Sequence, residues 1–322
     1  MAIPDFSSHP VVVTGGAGFI GSHLVDALVD GGAQVRVLDD LSSGKRANLE
    51  HHGAGVELIT GDIRDLDTCR RALRGARYVF HQAARGSVPR SLAEPNLTLD
   101  INVGGTATVF TAARDEGVER IVYASSSSVY GDSAALPKRE GEEGAPLSPY
   151  AASKKMNEDL ALVFGRCFDL TIVGLRYFNV YGPRQDPKGA YAAVIPRFFS
   201  ACLAGEAPVI YGDGEQSRDF TFVADAVRAN LLAAGAPKAA GGRAFNVAAG
   251  RRTTVNELAQ RVRSAAGRGL EAQHEPPRPG DVAHSLASLE AAGEVLGYRA
   301  GLDLEQGLER SREHYAALTA AG

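Results

Sequence analysis

Tyr150 and Lys154 are the residues whose types and spacing could most directly move a proton. They lie in Ser148-Pro149-Tyr150-Ala151-Ala152-Ser153-Lys154. Ser148 suits a helix N-cap and Pro149 the first turn. The pair would then share one helical face. A free phenol has a pKa near ~10, and a neighbouring ammonium favours the phenolate. Tyr150 could therefore take a hydroxyl proton while hydride leaves the same carbon. A run of hydroxyls, Ser125, Ser126, Ser127 and Ser128, follows the apolar stretch Ile121-Val122-Tyr123. One of them could hold the reacting oxygen. Tyr and Lys at this spacing occur by chance in many helices, and a serine run can be a polar turn. The pair therefore needs a hydride acceptor to be meaningful.

The N-terminal region offers one. Thr14-Gly15-Gly16-Ala17-Gly18-Phe19-Ile20-Gly21 follows the apolar run Val11-Val12-Val13 and opens a helical pattern. Gly15, Gly18 and Gly21 permit a tight turn, close approach to a pyrophosphate and close helix–strand packing. The helix N-terminus would face the phosphates. Asp39, ending the next β-branched run, can accept hydrogen bonds from ribose hydroxyls and would repel a 2′-phosphate, so NAD is expected over NADP. Asp40 could play that part instead, or cap the following turn. Asp62 in Gly61-Asp62-Ile63 is expected near the adenine.

These groups need a frame. Short β-branched runs at 11–13, 35–38, 56–59, 78–80, 121–123 and 171–173 alternate with helical patterns such as His23 to Val29 and Val103 to Ala113. That rhythm predicts a doubly wound α/β fold of Rossmann type, with helices on both faces of a parallel sheet. Runs apolar at every position fit strands covered on both sides. After Arg176 the rhythm breaks. Residues 1–177, with a return segment at about 222–249, are expected to bind the dinucleotide. Residues 178–221 and 250–322 are expected to form a smaller interleaved domain, with a site between the two.

Composition narrows the partners. A net charge of −4 with no basic stripe argues against nucleic acid. No apolar stretch approaches the ~18 residues of a membrane helix, and Met1 to Pro10 lacks the features of a secretory signal. Cys69, Cys167 and Cys202 are dispersed and odd in number, so neither a disulfide framework nor a metal site is expected. They read as small buried hydrophobes in a reducing cytoplasm.

The ordered set of motifs resembles the extended short-chain dehydrogenases/reductases, and within them the nucleotide-sugar epimerases. It comprises Thr14 to Gly21, Asp39, Gly61 to Asp65, His81-Gln82-Ala83-Ala84, Asn102, Ser125 to Gly131, Tyr150/Lys154, Leu175 to Asn179, Gly212-Asp213-Gly214, Arg218-Asp219-Phe220 and Arg278-Pro279-Gly280-Asp281. The resemblance implies NAD as cofactor and no metal. It implies cofactor contacts from the glycine turn, Phe19, Ile20, Asp39, Asp40, Ser42, Gly44, Asp62, Ile63, Gln82, Ala83, Ala84, Asn102, Ser125, Tyr150, Lys154, Tyr177 and Val180. Segments 86–91 and 184–196 are similar to the branch that epimerises UDP-N-acetylhexosamines at C4. By that likeness Ser126 assists Tyr150. Ser87, Ser127, Asn179, Gln185, Ala193, Val194, Tyr211, Arg218, Arg278, Asp281 and Ser285 would line a UDP-sugar pocket. A guanidinium suits a diphosphate. The related dehydratases and decarboxylases carry acids where Ser127 and Ser128 stand here. A homodimer is the family expectation.

Overall fold

The computed structural model describes residues 2–187, 192–277 and 283–320. Its first strands are short apolar runs whose side chains are covered on both faces. β1 (Val11–Thr14) and β4 (Tyr78–His81) are buried at every position, and so is β6 (Thr171–Tyr177). With β2 (Val35–Asp39), β3 (Val56–Thr60), β5 (Arg120–Ser126) and the strand Ala244–Val247 they form one seven-stranded parallel sheet. From edge to edge the order is Ala244–Val247, β6, β5, β4, β1, β2, β3. The direction of strand progression reverses between β1 and β4. Ligands bind in such sheets outside the carboxyl ends of the strands, at that switch. β3 lies at the edge and is only partly buried, so its apolar run did not require two covered faces.

The helices fill both faces. α1 (Phe19–Asp30) follows β1, α2 (Leu66–Leu73) follows β3, α3 (Val88–Ala93), α4 (Pro95–Leu99) and α5 (Gly105–Asp115) follow β4 in succession, and α6 (Pro149–Phe168) follows β5. α6 begins as its sequence predicts: the Ser148 hydroxyl accepts from the Ala151 N–H at 3.1 Å, and Pro149 opens the first turn. The helical pattern around Val103 starts differently, with a π-turn over Asp100–Gly104 leading into α5. One apolar cluster joins α1, the strands and α8 (Val223–Ala234), which follows α7 (Val194–Ala204). A second lies on the opposite sheet face with α2 and α5.

A third cluster holds the remainder together. It is built from α7, α9 (Val255–Ala266) and α11 (Leu304–Ala320), while α10 (Glu290–Leu296) packs against the first cluster through Ala292 and Leu296. α9 opens on a reciprocal cap between Thr254 and Glu257. The buried Asp219 carboxylate ties this part to the sheet by accepting from the N–H groups of Ala249, Gly250 and Ala287. Among the described residues no helix is long and apolar enough to cross a membrane.

Candidate active site

The glycine turn sits at the switch point. Gly15 has φ +69°, a conformation that favours glycine. A Cβ on Gly21 would lie 2.1 Å from the Gly15 carbonyl oxygen, so only glycine lets α1 start this close to β1. No side chain caps α1, and its N-cap is Gly18. The free N–H groups open on a cleft lined by Gly15, Gly18, Phe19, Ile20, Gly21, Asp39, Asp40, Ser42, Asp62, Ile63, Gln82, Ala83, Ala84, Ser125, Tyr150, Lys154 and Tyr177. An uncapped helix start with a carboxylate at the end of β2 matches the phosphates and ribose of a dinucleotide. The residues present fit NAD.

Local contacts fix these groups. Asp39 accepts from the Ala17 N–H at 3.0 Å and the Leu41 N–H at 2.8 Å. Burial nonetheless pushes its carboxyl above the usual range. Asp40 takes the capping part, accepting from the backbone and hydroxyl of Ser42. Asp62 is gripped by Arg64, whose guanidinium also reaches Asp100. Three residues implied for the cofactor stand behind the cleft. Gly44 packs against the Asp39 carboxylate. Val180 joins the apolar clusters. Asn102, 1% exposed, spends its amide on the backbone of Arg85 and on the Ser153 hydroxyl. It is a strut between the loop after β4 and α6.

Tyr150 and Lys154 do share a face of α6, with the Lys154 Nζ 5.9 Å from the centre of the Tyr150 ring. Nζ donates to the Ala124 carbonyl at 2.8 Å. Burial pulls the Lys154 ammonium down to about 8, opposed by Glu158 one turn further along α6. The Tyr150 phenol moves the other way. Burial pushes it above its ordinary value, and a hydrogen bond with Ser126 works against that rise. The expectation that Lys154 lowers the phenol is therefore overridden, within the protein alone, by the burial of both groups. Ser126 also accepts from the Ser128 N–H at 3.1 Å.

Beneath these groups runs a buried network that sequence reading missed. The Ser125 hydroxyl donates to Glu158 at 2.6 Å, and Arg176 forks onto the same carboxylate at 2.8 and 2.7 Å. Arg176 continues to Tyr130 and Glu143. Two signals were available: Glu158 follows Lys154 at helical spacing, and Arg176 is a charge inside an apolar strand. A second missed residue, Asn230, closes a triangle with Gln82 and Tyr177. Arg85 and Arg90 also line the cleft.

The expected sugar-side residues come from several loops. Ser87 caps α3 at φ 96°, a rare conformation for a non-glycine residue. Ser127 opens the short 3-10 turn Ser127–Tyr130. Asn179 donates to the Asp219 carbonyl at 3.0 Å, and Gln185 to the Val180 carbonyl at 3.0 Å. Ala193 is the N-cap of α7 and Val194 its first residue. Tyr211 lies under the Arg197 guanidinium, 5.6 Å from ring centre. Arg218 donates to the carbonyls of Ser217 and Ala283. Ser285, partly buried, runs beside it, its N–H donating to the Ser217 carbonyl at 3.0 Å. Arg278 and Asp281 lie outside the described residues, as does 188–191 of the segment 184–196. One expectation fails outside the cleft: Cys167 is exposed, because it sits near the open end of α6, while Cys69 and Cys202 are buried.

Residues 11–248 match the NAD dependent epimerase/dehydratase family. The chain belongs to that family. A UDP-glucose 4-epimerase from Mycolicibacterium smegmatis is 41% identical over 308 residues, 94% of this chain and 97% of that protein. Among solved structures, the UDP-N-acetylglucosamine 4-epimerase of Methanobrevibacter ruminantium, in complex with UDP-N-acetylmuramic acid, is 40% identical. Its TM-score is 0.92 over 96% of this chain and 99% of that one. The Thermus thermophilus UDP-glucose 4-epimerase, in complex with NAD, is 38% identical, with a TM-score of 0.86 over 95% and 98%. The family membership and these neighbours bear out the Rossmann-type fold and the NAD cofactor, and the relatives named here are UDP-sugar 4-epimerases, as the sequence reading expects.

Proposed function

We propose that the protein interconverts UDP-N-acetylglucosamine and UDP-N-acetylgalactosamine by inversion at C4. The observation that carries the choice of sugar is Ser285. It is small and partly buried, and its N–H donates to the Ser217 carbonyl beside Arg218. Among the resembling epimerases, a bulky residue at this place goes with sugars lacking the acetamido group. A serine leaves room for those extra atoms, whereas a tyrosine ring would claim their volume. The likeness to the Methanobrevibacter ruminantium enzyme supports the same choice.

The chemistry follows from the residues in the cleft. Bound NAD supplies the hydride acceptor, then the donor, and a positive ring that favours the phenolate. Tyr150 takes the proton of the C4 hydroxyl and later returns it. Ser126, whose side chain favours the ionised phenol, holds the reacting oxygen beside it. Lys154 places a cation under the same ring. Arg218, with Arg278, steadies the diphosphate while the sugar turns its other face. Ser127 and Ser128 stand where elimination or decarboxylation would want an acid, so the keto sugar is reduced again. No metal takes part in these steps.

A second reading, a UDP-glucose 4-epimerase, is favoured by the activities of the Mycolicibacterium smegmatis and Thermus thermophilus relatives. Ser285→Tyr separates the two. Overpacking a filled pocket costs ~1–3 kcal/mol, and each ~1.4 kcal/mol is a factor of ten. Turnover of the N-acetylated pair should fall roughly tenfold or more relative to UDP-glucose. An equal fall for both pairs would make position 285 structural and remove this support.

The same reading includes a homodimer in the cytoplasm. Met156 and Val163, seven residues apart on α6, expose large apolar side chains that a second copy could cover. The three free cysteines suit a reducing compartment.

A further inference from the structure

Three side chains of metal-ligating type converge on one point away from the cleft. Asp26 lies on α1, and His51 and His52 lie in the short 3-10 segment Glu50–Gly55 between β2 and β3. His51 Nε2 is 3.0 Å from Asp26 Oδ1, and His52 Nε2 is 2.8 Å from the same oxygen. The three ligand atoms all lie within 4.8 Å of one another. The two rings pack with centroids 3.9 Å apart and planes tilted by 41°, so both turn the same edge toward Asp26. His51 is about half exposed, with 49% of its side-chain surface open, and the His52 side chain is buried at 7%.

The surroundings orient these groups. Arg184 Nη1 stands 2.8 Å from the other carboxylate oxygen, Asp26 Oδ2, leaving Oδ1 to the imidazoles. His23, one turn earlier on α1, has Nε2 2.9 Å from the Pro183 carbonyl and Nδ1 3.9 Å from Asp26 Oδ2. Facing a carbonyl oxygen, Nε2 acts as the donor.

We propose that Asp26, His51 and His52 form a binding site for a divalent transition-metal ion of the zinc class, distinct from the catalytic cleft. Two imidazoles and one carboxylate, without thiolate, suit zinc, cobalt or nickel better than calcium or magnesium. Metal–ligand bonds of ~2.0–2.1 Å need only small movements from donors already this close. Each ring offers its Nε2 lone pair once its proton sits on Nδ1. The open position is on the exposed side of His51, where water completes the coordination. Arg184 fixes the carboxylate from behind, as outer-shell partners do, and its charge keeps the affinity below that of a closed structural site. The ion would staple the segment between β2 and β3, which also carries Asp40 and Ser42 of the cleft, to α1.

The test is a titration of tag-free protein with zinc chloride and cobalt chloride, read by calorimetry and by cobalt visible absorption. One ion should bind per chain, and the thermal unfolding midpoint should rise with it. His51→Ala removes an exposed ligand and should leave the fold intact. It should weaken binding at least ~tenfold and abolish the thermal shift. Cys167→Ser, removing the exposed thiol, should change neither. Absence of saturable binding, unchanged binding in His51→Ala, or loss of binding in Cys167→Ser would each overturn the site.

Discussion

The Tyr150 phenol is pushed above its ordinary range by burial, and the hydrogen bond with Ser126 works the other way. On the proposed function, the positive charge of the bound cofactor ring would have to help draw the proton from this hydroxyl. Tyr150→Phe keeps the ring and removes the oxygen that carries the proton. Turnover should fall by at least ~100-fold, the low end for general acid–base catalysis, with NAD binding retained. Stopped assays with fluorescence titration of the dinucleotide would show both; near-normal turnover contradicts the role. At this scale the sequence was informative where chemistry depends on residue type and local spacing: Tyr150 and Lys154 share a face of α6, and of the serine run Ser126 acts on the phenol. It was silent where a side chain meets a distant element. Nothing in the sequence around Asn102 says that Arg85 and Ser153 will use up its amide.

At the scale of elements, β4 and β1 are joined through a buried histidine. His81 Nδ1 lies 2.7 Å from the Thr14 hydroxyl and Nε2 3.0 Å from that of Thr106. The Thr106 hydroxyl already donates to the Asn102 carbonyl at 2.5 Å. It can therefore only accept from Nε2–H, and Nδ1 accepts from Thr14. The ring is neutral, with its proton on Nε2. Burial, with Lys154 nearby, pushes its pKa down to about 3. An unfolded chain takes up that proton near ~6.5. Its contribution to stability is thus complete above pH ~6.5 and is lost progressively as pH falls toward 3. Asp219, pushed up to about 6 by burial, acts in the opposite direction over part of that window. A direct reading of the ring is therefore the cleaner measurement. Imidazole nitrogen shifts of His81 should stay those of a neutral ring down to pH 5; a titration near 6.5 contradicts the assignment. His81 entered the sequence reading only as part of a motif, because its two threonine partners are remote in sequence.

For the whole molecule, the parallel sheet and its switch point were legible because fully apolar β-branched runs and glycine turns are local signals. The second part of the chain was less so. Its short strands, such as Ser217–Arg218 against Thr253–Thr254, pair residues far apart and leave no periodicity to read. The exposed apolar positions of α6 give an assembly prediction. Met156→Glu combined with Val163→Glu should convert a dimer to a monomer in light scattering. A dimer unchanged in mass would move the interface off this face of α6. The assembled cleft is tested most directly by what it does to one sugar. Purified protein, with no reductant and only the NAD it carries or is given, should be incubated with UDP-N-acetylglucosamine and followed by proton NMR. UDP-N-acetylgalactosamine should appear and approach equilibrium with no net change in NADH. Conversion of UDP-glucose alone, or accumulation of a deoxy-keto sugar, would contradict it.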